Sequence, residues 1–313
     1  KMEETVLRAM QLDADLLIFD CNLTATQAAT ISGITDLKVI DRSQLILDIF
    51  AQRAQSRDGK LQVRLAQMRY LLPRLGSRDD SLSRLTGGIG GRGPGETKLE
   101  IGRRRARETI GRLQSEIKQA AQQRRQRRSL RERHGVPVVA IVGYTNAGKS
   151  TLLNALTKSD VLTEDKLFAT LDTYSRRIRF PRERDVIITD TVGFIRDLPD
   201  ELFNAFRATF EEAADADLIL QVVDAADPAH PEHVVTAETV FERLGLDIER
   251  RLFVFNKADL LGDGAAERMA AAKGGVALSA RDRNTLGPLL RKMEATLCGQ
   301  DLAEPDAAMR PAV

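Results

Sequence analysis

The fold is decided by Val138-Val139-Ala140-Ile141-Val142 and the residues that follow, Gly143-Tyr144-Thr145-Asn146-Ala147-Gly148-Lys149-Ser150. The apolar run predicts a buried strand, and the next eight residues fit the pattern G-x-x-x-x-G-K-[ST] ahead of a predicted helix. Backbone N–H groups of such a loop, at a positive helix N-terminus, would hold the phosphates of a nucleotide. Lys149 would bind β- and γ-phosphate oxygens and the Ser150 hydroxyl would ligate Mg²⁺. We include Thr151 among the nucleotide contacts.

Strands and helices alternate around this motif, which predicts an α/β fold with a mostly parallel sheet covered on both faces. Strands are predicted at Val138–Val142, Arg177–Phe180, Val186–Thr189, Leu218–Val223, Leu252–Phe255 and Val276–Leu278. Helices are predicted at Lys149–Leu156, Pro199–Ala214, Pro231–Leu244 and Thr285–Leu297. The second and third strands, joined by residues 181–185, predict a hairpin. This domain is expected to cover residues 136–298, with a loose tail over residues 299–313.

A D-x-x-G motif, Asp190-Thr191-Val192-Gly193, ends one of these buried strands. Alone the motif is common, but after a P-loop and a strand it predicts contacts to the metal and the γ-phosphate. Asp190 would hold Mg²⁺ through water, and the Gly193 N–H would contact the γ-phosphate. A second hydroxyl that ligates Mg²⁺ is expected before the hairpin, where Thr170 is favoured and Thr173 is the alternative.

The base is expected to be guanine because of Asn256-Lys257-Ala258-Asp259, which follows the strand Leu252–Phe255. An ionised carboxylate accepts hydrogen bonds and donates none. Guanine offers two adjacent donors, N1–H and N2–H₂, so Asp259 would select it strongly over adenine. Asn256 would brace the loop, the Lys257 stem would cover the ring, and the Ala280 N–H of Ser279-Ala280 would contact guanine O6. The expected nucleotides are GTP and GDP.

The residue after D-x-x-G bears on the rate of hydrolysis. Ras-like GTPases place there a Gln that orients the attacking water, whereas this chain has Phe194, which forms no side-chain hydrogen bond. Phe194 could equally pack in the core. In either case the water must be positioned from elsewhere. We expect slow intrinsic turnover that a partner, or reordering of the switch loops, raises.

Asn146 within the P-loop suggests a monovalent cation. In some GTPases with this Asn, its side chain helps to hold a cation beside the phosphates, so K⁺ is a candidate cofactor. The alternative is a hydrogen bond that only stiffens the loop.

The N-terminal part of the chain divides into an α/β region, residues 1–43, and a helical region, residues 44–135. Apolar runs predict strands at Leu16–Phe19 and Leu37–Ile40, with a helix between them that ends near Gly33. Two stripes of apolar residues, separated alternately by four and three positions, then predict a pair of packed antiparallel helices. The second helix is predicted to run from about Thr97 to Arg133. The stripes are Leu61, Leu65, Met68, Leu72 and Leu75, and Ala106, Ile110, Leu113, Ile117 and Ala120.

Between these helices lies a glycine-rich segment, Gly87-Gly88-Ile89-Gly90-Gly91-Arg92-Gly93-Pro94-Gly95-Glu96-Thr97. A helical hairpin needs only about 2–8 connecting residues, so this segment is either a flexible connector or a probe that exposes its backbone. The following helix is rich in arginine, with Arg103, Arg104 and Arg105 at its start. Such an excess is either a solvated face or the footprint of binding to phosphate backbones. Since aromatic residues are nearly absent there, structured RNA is the favoured ligand.

The bulk composition is that of a water-soluble protein. The net charge is +2, but residues 97–134 alone carry +9, so the remainder carries −7. No apolar run reaches the roughly 20 residues that cross a bilayer. The two cysteines, Cys21 and Cys298, form no disulfide framework and are expected to be buried. We expect a monomer in the cytoplasm, with peripheral membrane association left open.

With these motifs together, the chain closely resembles the HflX family of translational GTPases. The resemblance spans roughly residues 5–298 and rests above all on the glycine-rich segment 87–97 ahead of the basic helix. It implies a Ras-like P-loop GTPase domain preceded by a small α/β subdomain, incomplete at Lys1, and a long antiparallel helical hairpin. It also implies binding to the large ribosomal subunit, with the glycine segment reaching toward the peptidyl-transferase region. Ribosome contacts are then expected from Gly91, Arg92, Gly93, Pro94, Gly95 and the three arginines named above.

The resemblance implies that GTP controls the splitting or rescue of stalled ribosomes under stress. Two other functions remain open. The chain could assist assembly of the large subunit, or it could be a signalling switch whose helical arm binds proteins.

Overall fold

The computed structural model describes residues 2–75, 98–133, 135–157, 174–179, 185–191, 193–196, 199, 203, 213, 216–245, 250–262 and 264–298. The chain forms two compact units. The first comprises residues 1–124 with 198–206, and the second comprises the rest. The finer division at residues 43, 135 and 298 stays a prediction.

The first unit begins with alternating helices and strands: α1 (Met2–Gln11), β1 (Leu16–Phe19), α2 (Ala25–Thr35), β2 (Lys38–Asp41) and α3 (Arg42–Arg53). The two strands pair in parallel, from Leu16 opposite Lys38 to Phe19 opposite Asp41. The apolar runs predicted both strands, but α1 and α3 were not predicted.

Helix α2 continues past Gly33, where the sequence predicted its end. A capping box starts it, because the Thr24 hydroxyl accepts from the Gln27 N–H and the Gln27 side chain accepts from the Thr24 N–H. The helix stops at Asp36, which adopts the left-handed conformation with φ of 53°. Thus an aspartate supplies the left-handed cap that the glycine was expected to provide.

Helices α4 (Arg57–Leu71), extended by a 3-10 turn (Leu72–Arg74), and α5 (Lys98–Arg133) follow; α5 belongs to this unit as far as Arg124. They are antiparallel, because the start of α4 lies near the middle of α5 and its end lies near the start of α5. Arg57 contacts Glu116 at 4.0 Å, and the Arg103 guanidinium donates to the Leu75 carbonyl oxygen at 2.9 Å. The predicted antiparallel helix pair is therefore present.

Helix α4 is buried over a wider face than the predicted stripe. Leu65 is buried as expected, and so are Val63, Ala66 and Tyr70, since α4 packs against α3 as well. On α5 the stripe residues Ala106 and Leu113 are buried. The 4-3 spacing identified the contact with α5 and missed the contact with α3.

The second unit contains a six-stranded sheet in the order β4-β5-β3-β6-β7-β8. Its strands are β3 (Val138–Gly143), β4 (Tyr174–Arg179), β5 (Asp185–Asp190), β6 (Leu218–Asp224), β7 (Arg251–Asn256) and β8 (Val276–Ala277). β4 pairs antiparallel with β5, as the hairpin prediction requires, and the other pairs are parallel.

Helices of this unit are α6 (Lys149–Thr157), α7 (His230–Leu244), α8 (Ala265–Ala272) and α9 (Gly287–Cys298). Short 3-10 turns cover Ala258–Leu260 and Arg283–Leu286. A main core packs strand residues such as Ile141, Ile188 and Leu220 against Leu152 of α6 and Leu289 of α9. The helix α8 was not predicted, because five of its eight residues are alanine and its sequence is only weakly apolar. The predicted helix Pro199–Ala214 lies largely outside the described residues.

Cys21 is exposed, contrary to expectation, because it follows β1 in the loop before α2. The side chain of Cys298 lies outside the described residues. Among the described helices, none is long and apolar enough to span a bilayer.

Candidate nucleotide-binding site

Five loops that carry the predicted motifs leave the same edge of the second unit's sheet. β3 leads into the P-loop, β5 ends at Asp190, β6 ends at Asp224, β7 ends at Asn256 and β8 precedes Ser279. Ligands of open α/β sheets bind at this carboxyl edge, where the strand order changes direction. β3 sits between β5 and β6, so the P-loop emerges at such a point.

The P-loop backbone has a shape that requires glycine at two positions. Gly143 has φ of 152°, and an added Cβ would collide with the Val222 carbonyl oxygen. Gly148 has φ of 89°, and an added Cβ would collide with the Asn256 side-chain amide. Asn146 lies between them, exposed and in the left-handed conformation with φ of 63°. Asn tolerates this conformation better than most residues.

Lys149 is buried in the P-loop, 6% exposed, and its ammonium group donates to the Tyr144 carbonyl oxygen at 2.9 Å. Burial lowers the pKa of Lys149 from 10.5 to about 8, although the nearby Asp190 carboxylate opposes the shift. A cation that is desolvated in this way gains strongly from an anionic ligand. An anionic ligand beside this lysine would therefore be favoured, as the predicted contact to phosphate requires.

Ser150 and Asp190 bring two oxygen groups together. The Ser150 hydroxyl donates to Asp190 Oδ2 at 2.8 Å, and the Asp190 side chain is fully buried. A hydroxyl and a carboxylate are the hard oxygen donors that Mg²⁺ prefers. The donor set fits Mg²⁺, which would be held by Ser150 directly and by Asp190 through water.

Gly193 approaches the P-loop closely. An added Cβ would lie 2.9 Å from the Lys149 ammonium nitrogen and 2.9 Å from Thr145 Cγ2. Thr145 is itself buried, and Ala147 is fully buried in the core. The Gly193 backbone thus lies beside the lysine that is expected to hold phosphate.

The Asn256 side chain connects two of the loops. Its amide nitrogen donates to the Ala147 carbonyl oxygen at 2.8 Å, and its carbonyl oxygen accepts from the Ala280 N–H at 2.9 Å. The expected bracing role has a geometric basis here. However, the Ala280 N–H that was expected to contact guanine O6 already donates to Asn256. Guanine O6 would therefore have to share the Ala280 N–H with the Asn256 side chain or displace that side chain from it.

Lys257 and Asp259 occupy different environments. Lys257 has φ of 63° and its ammonium nitrogen lies 2.6 Å from the Asp224 carboxylate at the end of β6. Asp259 lies in the turn Ala258–Leu260 and is exposed, so its carboxylate is accessible to a base. Asp224 was missed by the sequence reasoning, although its position at the end of a buried strand could have indicated it.

Ser279 is buried beside these residues, and a hydroxyl from the next turn holds its backbone. The Ser279 N–H donates to the Thr285 hydroxyl at 3.1 Å, which in turn donates to the Ser279 carbonyl oxygen at 2.9 Å. This pair of bonds fixes the loop that carries Ala280.

Phe194 is buried, 3% exposed, and meets the Phe241 ring of α7 edge-to-face at 5.7 Å between centroids. Its backbone pairs with the P-loop: the Phe194 N–H donates to the Gly143 carbonyl oxygen at 2.9 Å, and its own carbonyl oxygen accepts from the Thr145 N–H at 2.9 Å. The side chain therefore packs in the core, the alternative considered for it, and positions no water.

A second aromatic contact was not anticipated. The Tyr144 ring stacks on His233 of α7 with centroids 3.7 Å apart and an interplanar angle of 10°. The Tyr144 hydroxyl oxygen accepts from the Arg196 N–H at 3.3 Å, three residues past Gly193. The Asp227 carboxylate lies 3.7 Å from His233 Nδ1. Sequence spacing gave no signal for this network.

Other predicted residues lie outside the described residues, in α6 or in the first unit. Thr170, Thr173 and the glycine-rich segment with Gly91, Arg92, Gly93, Pro94 and Gly95 lie outside the described residues. Thr151 lies in the first turn of α6, half-buried, and its contact to nucleotide stays a prediction. In the first unit, Arg103 bonds to the Leu75 carbonyl and Arg104 lies 3.8 Å from Glu108, whereas Arg105 is exposed.

Three protein-family profiles match the chain in succession. They are described as GTP-binding GTPase N-terminal over residues 1–51, GTP-binding GTPase Middle Region over residues 53–131, and 50S ribosome-binding GTPase over residues 138–257. GTPase HflX of Lacrimispora saccharolytica is 45% identical over 300 residues, which cover 96% of this chain and 71% of that protein. The chain belongs to the HflX GTPase family.

Two more relatives carry the same name. GTPase HflX of Caldanaerobacter subterraneus subsp. tengcongensis is 50% identical over 261 residues, 83% of this chain and 61% of the relative. GTPase HflX of Escherichia coli K12 is 47% identical over 250 residues, 80% of this chain and 59% of the relative. The chain thus spans about 60 to 70% of the length of these curated relatives.

Among solved structures, a GTP-binding protein of Sulfolobus solfataricus in complex with GDP has the same fold. The TM-score is 0.53 at 22% identity, over 94% of this chain and 85% of that one. The expected fold, a Ras-like GTPase domain preceded by an α/β subdomain and paired helices, is confirmed.

Proposed function

We propose that the chain binds GTP and Mg²⁺, hydrolyses GTP slowly, and uses its nucleotide state to control binding to the large ribosomal subunit, where it splits or rescues stalled ribosomes. The observation that carries the nucleotide part is the buried Lys149 beside Gly193, with Ser150 and Asp190 adjacent. The ribosomal part is supported by the match of residues 138–257 to the 50S ribosome-binding GTPases.

The residues divide the chemistry between them. Lys149 and the P-loop N–H groups bind and orient the phosphates, and Gly193 presents its N–H toward the γ-phosphate. Mg²⁺, held by Ser150, Asp190 and Thr170, would neutralise charge on the phosphate oxygens. Asp259 selects guanine, and Asn256 fixes the loop that presents it. The Phe194 side chain cannot orient the attacking water, so hydrolysis is slow until a partner reorders the switch segments.

The ribosome supplies that partner in this proposal. The basic helix α5 and the glycine-rich segment before it would contact ribosomal RNA, with the glycine segment near the peptidyl-transferase region. GTP would favour the bound state, and hydrolysis would release the protein from the subunit. The setting is the cytoplasm, and the protein acts as a monomer.

The decisive experiment mixes the protein with 70S ribosomes and with purified subunits, in the presence of GTP, GDP or a non-hydrolysable GTP analogue. The proposal predicts binding to large subunits with the GTP analogue and GTP-dependent dissociation of 70S particles in a sucrose gradient. A variant in which Gly93, Pro94 and Gly95 are replaced by alanine should bind nucleotide normally and fail to dissociate ribosomes. If dissociation survives in that variant, the segment is only a connector.

The two other functions give different results in the same experiment. Binding confined to immature large-subunit particles would favour a role in assembly. Absence of binding to any ribosomal particle would favour a signalling switch with a protein-binding arm.

We also propose that Asn146 helps to hold K⁺ beside the phosphates. Asn146 lies within the P-loop, exposed and in the left-handed conformation, which supports this assignment. Turnover should be faster in potassium than in sodium, and Asn146→Ala should remove the difference. Equal rates in the two salts for the unmodified protein would contradict it.

A further inference from the structure

Asp224 is the last residue of β6, at the sheet edge where the loops that carry the motifs emerge. It lies opposite Asn256 in the parallel register, and the Ala225 N–H donates to the Asn256 carbonyl oxygen at 2.9 Å. β6 and β7 therefore stay paired up to the start of the base-recognition segment, residues 256–259. The six residues of β6 before Asp224 are all buried. A central, buried strand thus fixes the backbone of Asp224.

Both oxygens of the Asp224 carboxylate have partners. Oδ1 accepts from the Ala226 N–H at 3.1 Å, and Oδ2 lies 2.6 Å from the Lys257 ammonium nitrogen. The two charged side chains are only 17% and 27% exposed. A hydrogen bond between charged groups is stronger than a neutral one, and partial burial reduces its screening by salt. The first contact orients the carboxylate, and the second directs it at the lysine.

Hydrogen bonds also fix the backbone on both sides of Lys257, which has φ of 63°. Its carbonyl oxygen accepts from the Leu260 N–H at 3.0 Å, and the Ala258 N–H donates to the Leu278 carbonyl oxygen at 3.2 Å. Among the residues that the structure describes, Asp224 supplies the ion pair of the Lys257 ammonium group. A lysine side chain without such a partner would sample many rotamers. The ion pair is therefore what orders the lysine stem.

The ion pair also sets the direction of this stem. The Lys257 backbone follows the end of β7, and its ammonium group reaches the end of β6, the strand beside β3, which leads into the P-loop. The stem thus runs along the sheet edge from the segment that is expected to recognise the base toward the loop that is expected to hold the phosphates. A nucleotide bound at these two loops would extend along the same edge, so the stem would lie alongside it.

We propose that Asp224 is a positioning residue for guanine nucleotides, which acts by holding the Lys257 stem ready to cover the base. Ordering a flexible side chain when a ligand binds weakens affinity, and a side chain that is ordered beforehand avoids this cost. The effect belongs to binding and not to the chemical step, which takes place at the other end of the nucleotide. This inference rests on the proposed function, because it takes guanine nucleotide as the ligand and Lys257 as the residue that covers the base.

The test is a double-mutant cycle in the full chain, with GDP and GTP as the probes. Asp224→Asn removes the charge but keeps the size of the side chain and an acceptor for the Ala226 N–H. Lys257→Met keeps most of the stem and removes the ammonium group. The control is Glu238→Gln, which weakens another partly buried ion pair, since Glu238 lies 3.4 Å from Arg251 at the opposite end of β7.

Three quantities are measured for each variant. A fluorescent GDP analogue gives the Kd and the dissociation rate, and rapid quenching gives the single-turnover rate of bound GTP. The unfolding midpoint of the nucleotide-free protein verifies that each variant is folded.

Asp224→Asn should bind GDP about 3- to 10-fold more weakly than the unmodified chain, mainly through faster dissociation. The single-turnover rate of bound GTP should change by less than about twofold, since only binding is affected. In the Lys257→Met background, adding Asp224→Asn should change the GDP affinity by less than about twofold, because the group through which Asp224 acts is gone. Glu238→Gln should leave the affinity unchanged.

The assignment would be overturned if Asp224→Asn bound GDP as tightly as the unmodified chain, or if its loss of affinity persisted in full beside Lys257→Met. A single-turnover rate that fell in step with affinity would also overturn it, because Asp224 would then support the whole site. An unmodified chain that binds no guanine nucleotide would refute the proposed nucleotide function together with this inference. Tight binding by the unmodified chain and by Asp224→Asn alike would refute this inference alone.

Discussion

The Asn256 side-chain amide donates to the Ala147 carbonyl oxygen at 2.8 Å, and this bond joins the base-recognition segment to the P-loop. The same side chain accepts from the Ala280 N–H, so one residue of β7 fixes two neighbouring loops. Because Asn256 is only 2% exposed, water cannot readily replace either bond. The segment that is expected to recognise the base is therefore hydrogen-bonded to the P-loop, which is expected to bind the phosphates.

Asn256→Ala should destabilise the second unit and weaken nucleotide binding. Two buried backbone groups would lose their partners, and each such loss costs about 1–3 kcal/mol. We expect the free energy of unfolding of the nucleotide-free protein to fall by about 2–6 kcal/mol in a denaturant titration. The exposed Asn284→Ala serves as the control and should change it by less than about 1 kcal/mol. A change at Asn256 no larger than that of the control would contradict the bracing role.

The pKa of Lys149 predicts that nucleotide binding takes up a proton. In the nucleotide-free protein, burial holds this pKa at about 8, so at pH 8.5 most molecules carry a neutral lysine. Anionic phosphates favour the charged form and raise the pKa again. We expect GDP binding at pH 8.5 to take up more than about half a proton, measured by calorimetry in buffers of different ionisation enthalpy.

Lys149→Arg is the control for this proton, because arginine stays charged at every accessible pH. It should bind GDP without uptake at pH 8.5. If the variant and the unmodified protein take up the same amount, the proton belongs to another group.

The Tyr144 hydroxyl gives a test of how the segment after Gly193 is held. Tyr144→Phe keeps the ring stacked on His233 and removes the acceptor of the Arg196 N–H. A net hydrogen bond contributes about 0.5–1.5 kcal/mol, and this one is long, so GTP turnover should fall by about two- to fivefold. His233→Ala, which removes the stack, should lower turnover further. Unaltered single-turnover rates in both variants would show that the stack only fills space.

Base selection can be tested at Asp259. Asp259→Asn replaces one acceptor by a donor, which no longer matches the two donors of guanine and matches xanthine instead. GTP affinity should fall by at least about 100-fold while XTP affinity rises. Because Asp259 is exposed, the fold should be unaffected. Retained preference for GTP in a competition assay would refute the carboxylate as the selecting group.

The sequence predicted the parts of the fold that have strong local signals. The glycine-rich P-loop and the apolar strands placed β3, β5, β6 and β7 within one or two residues of their observed bounds. Asp190 and Asn256 could be assigned to the sheet edge because each directly follows a buried strand. The position of such residues after a predicted strand is enough to predict where in the fold they lie.

Contacts between distant segments could not be predicted in this way. The Tyr144–His233 stack joins residues from the P-loop and α7, and the Lys257–Asp224 ion pair joins the ends of two strands. These relationships depend on packing geometry, which a pattern along the chain does not contain.

The central claim, a slow GTPase that the ribosome activates, is tested most directly by GTP turnover with and without purified large ribosomal subunits. Phe194 is buried against Phe241 and orients no water, so turnover of the free protein should be slow. Addition of large subunits in excess should raise it by at least about tenfold, equivalent to about 1.4 kcal/mol of activation free energy. Turnover that is the same with and without the subunits would contradict the account.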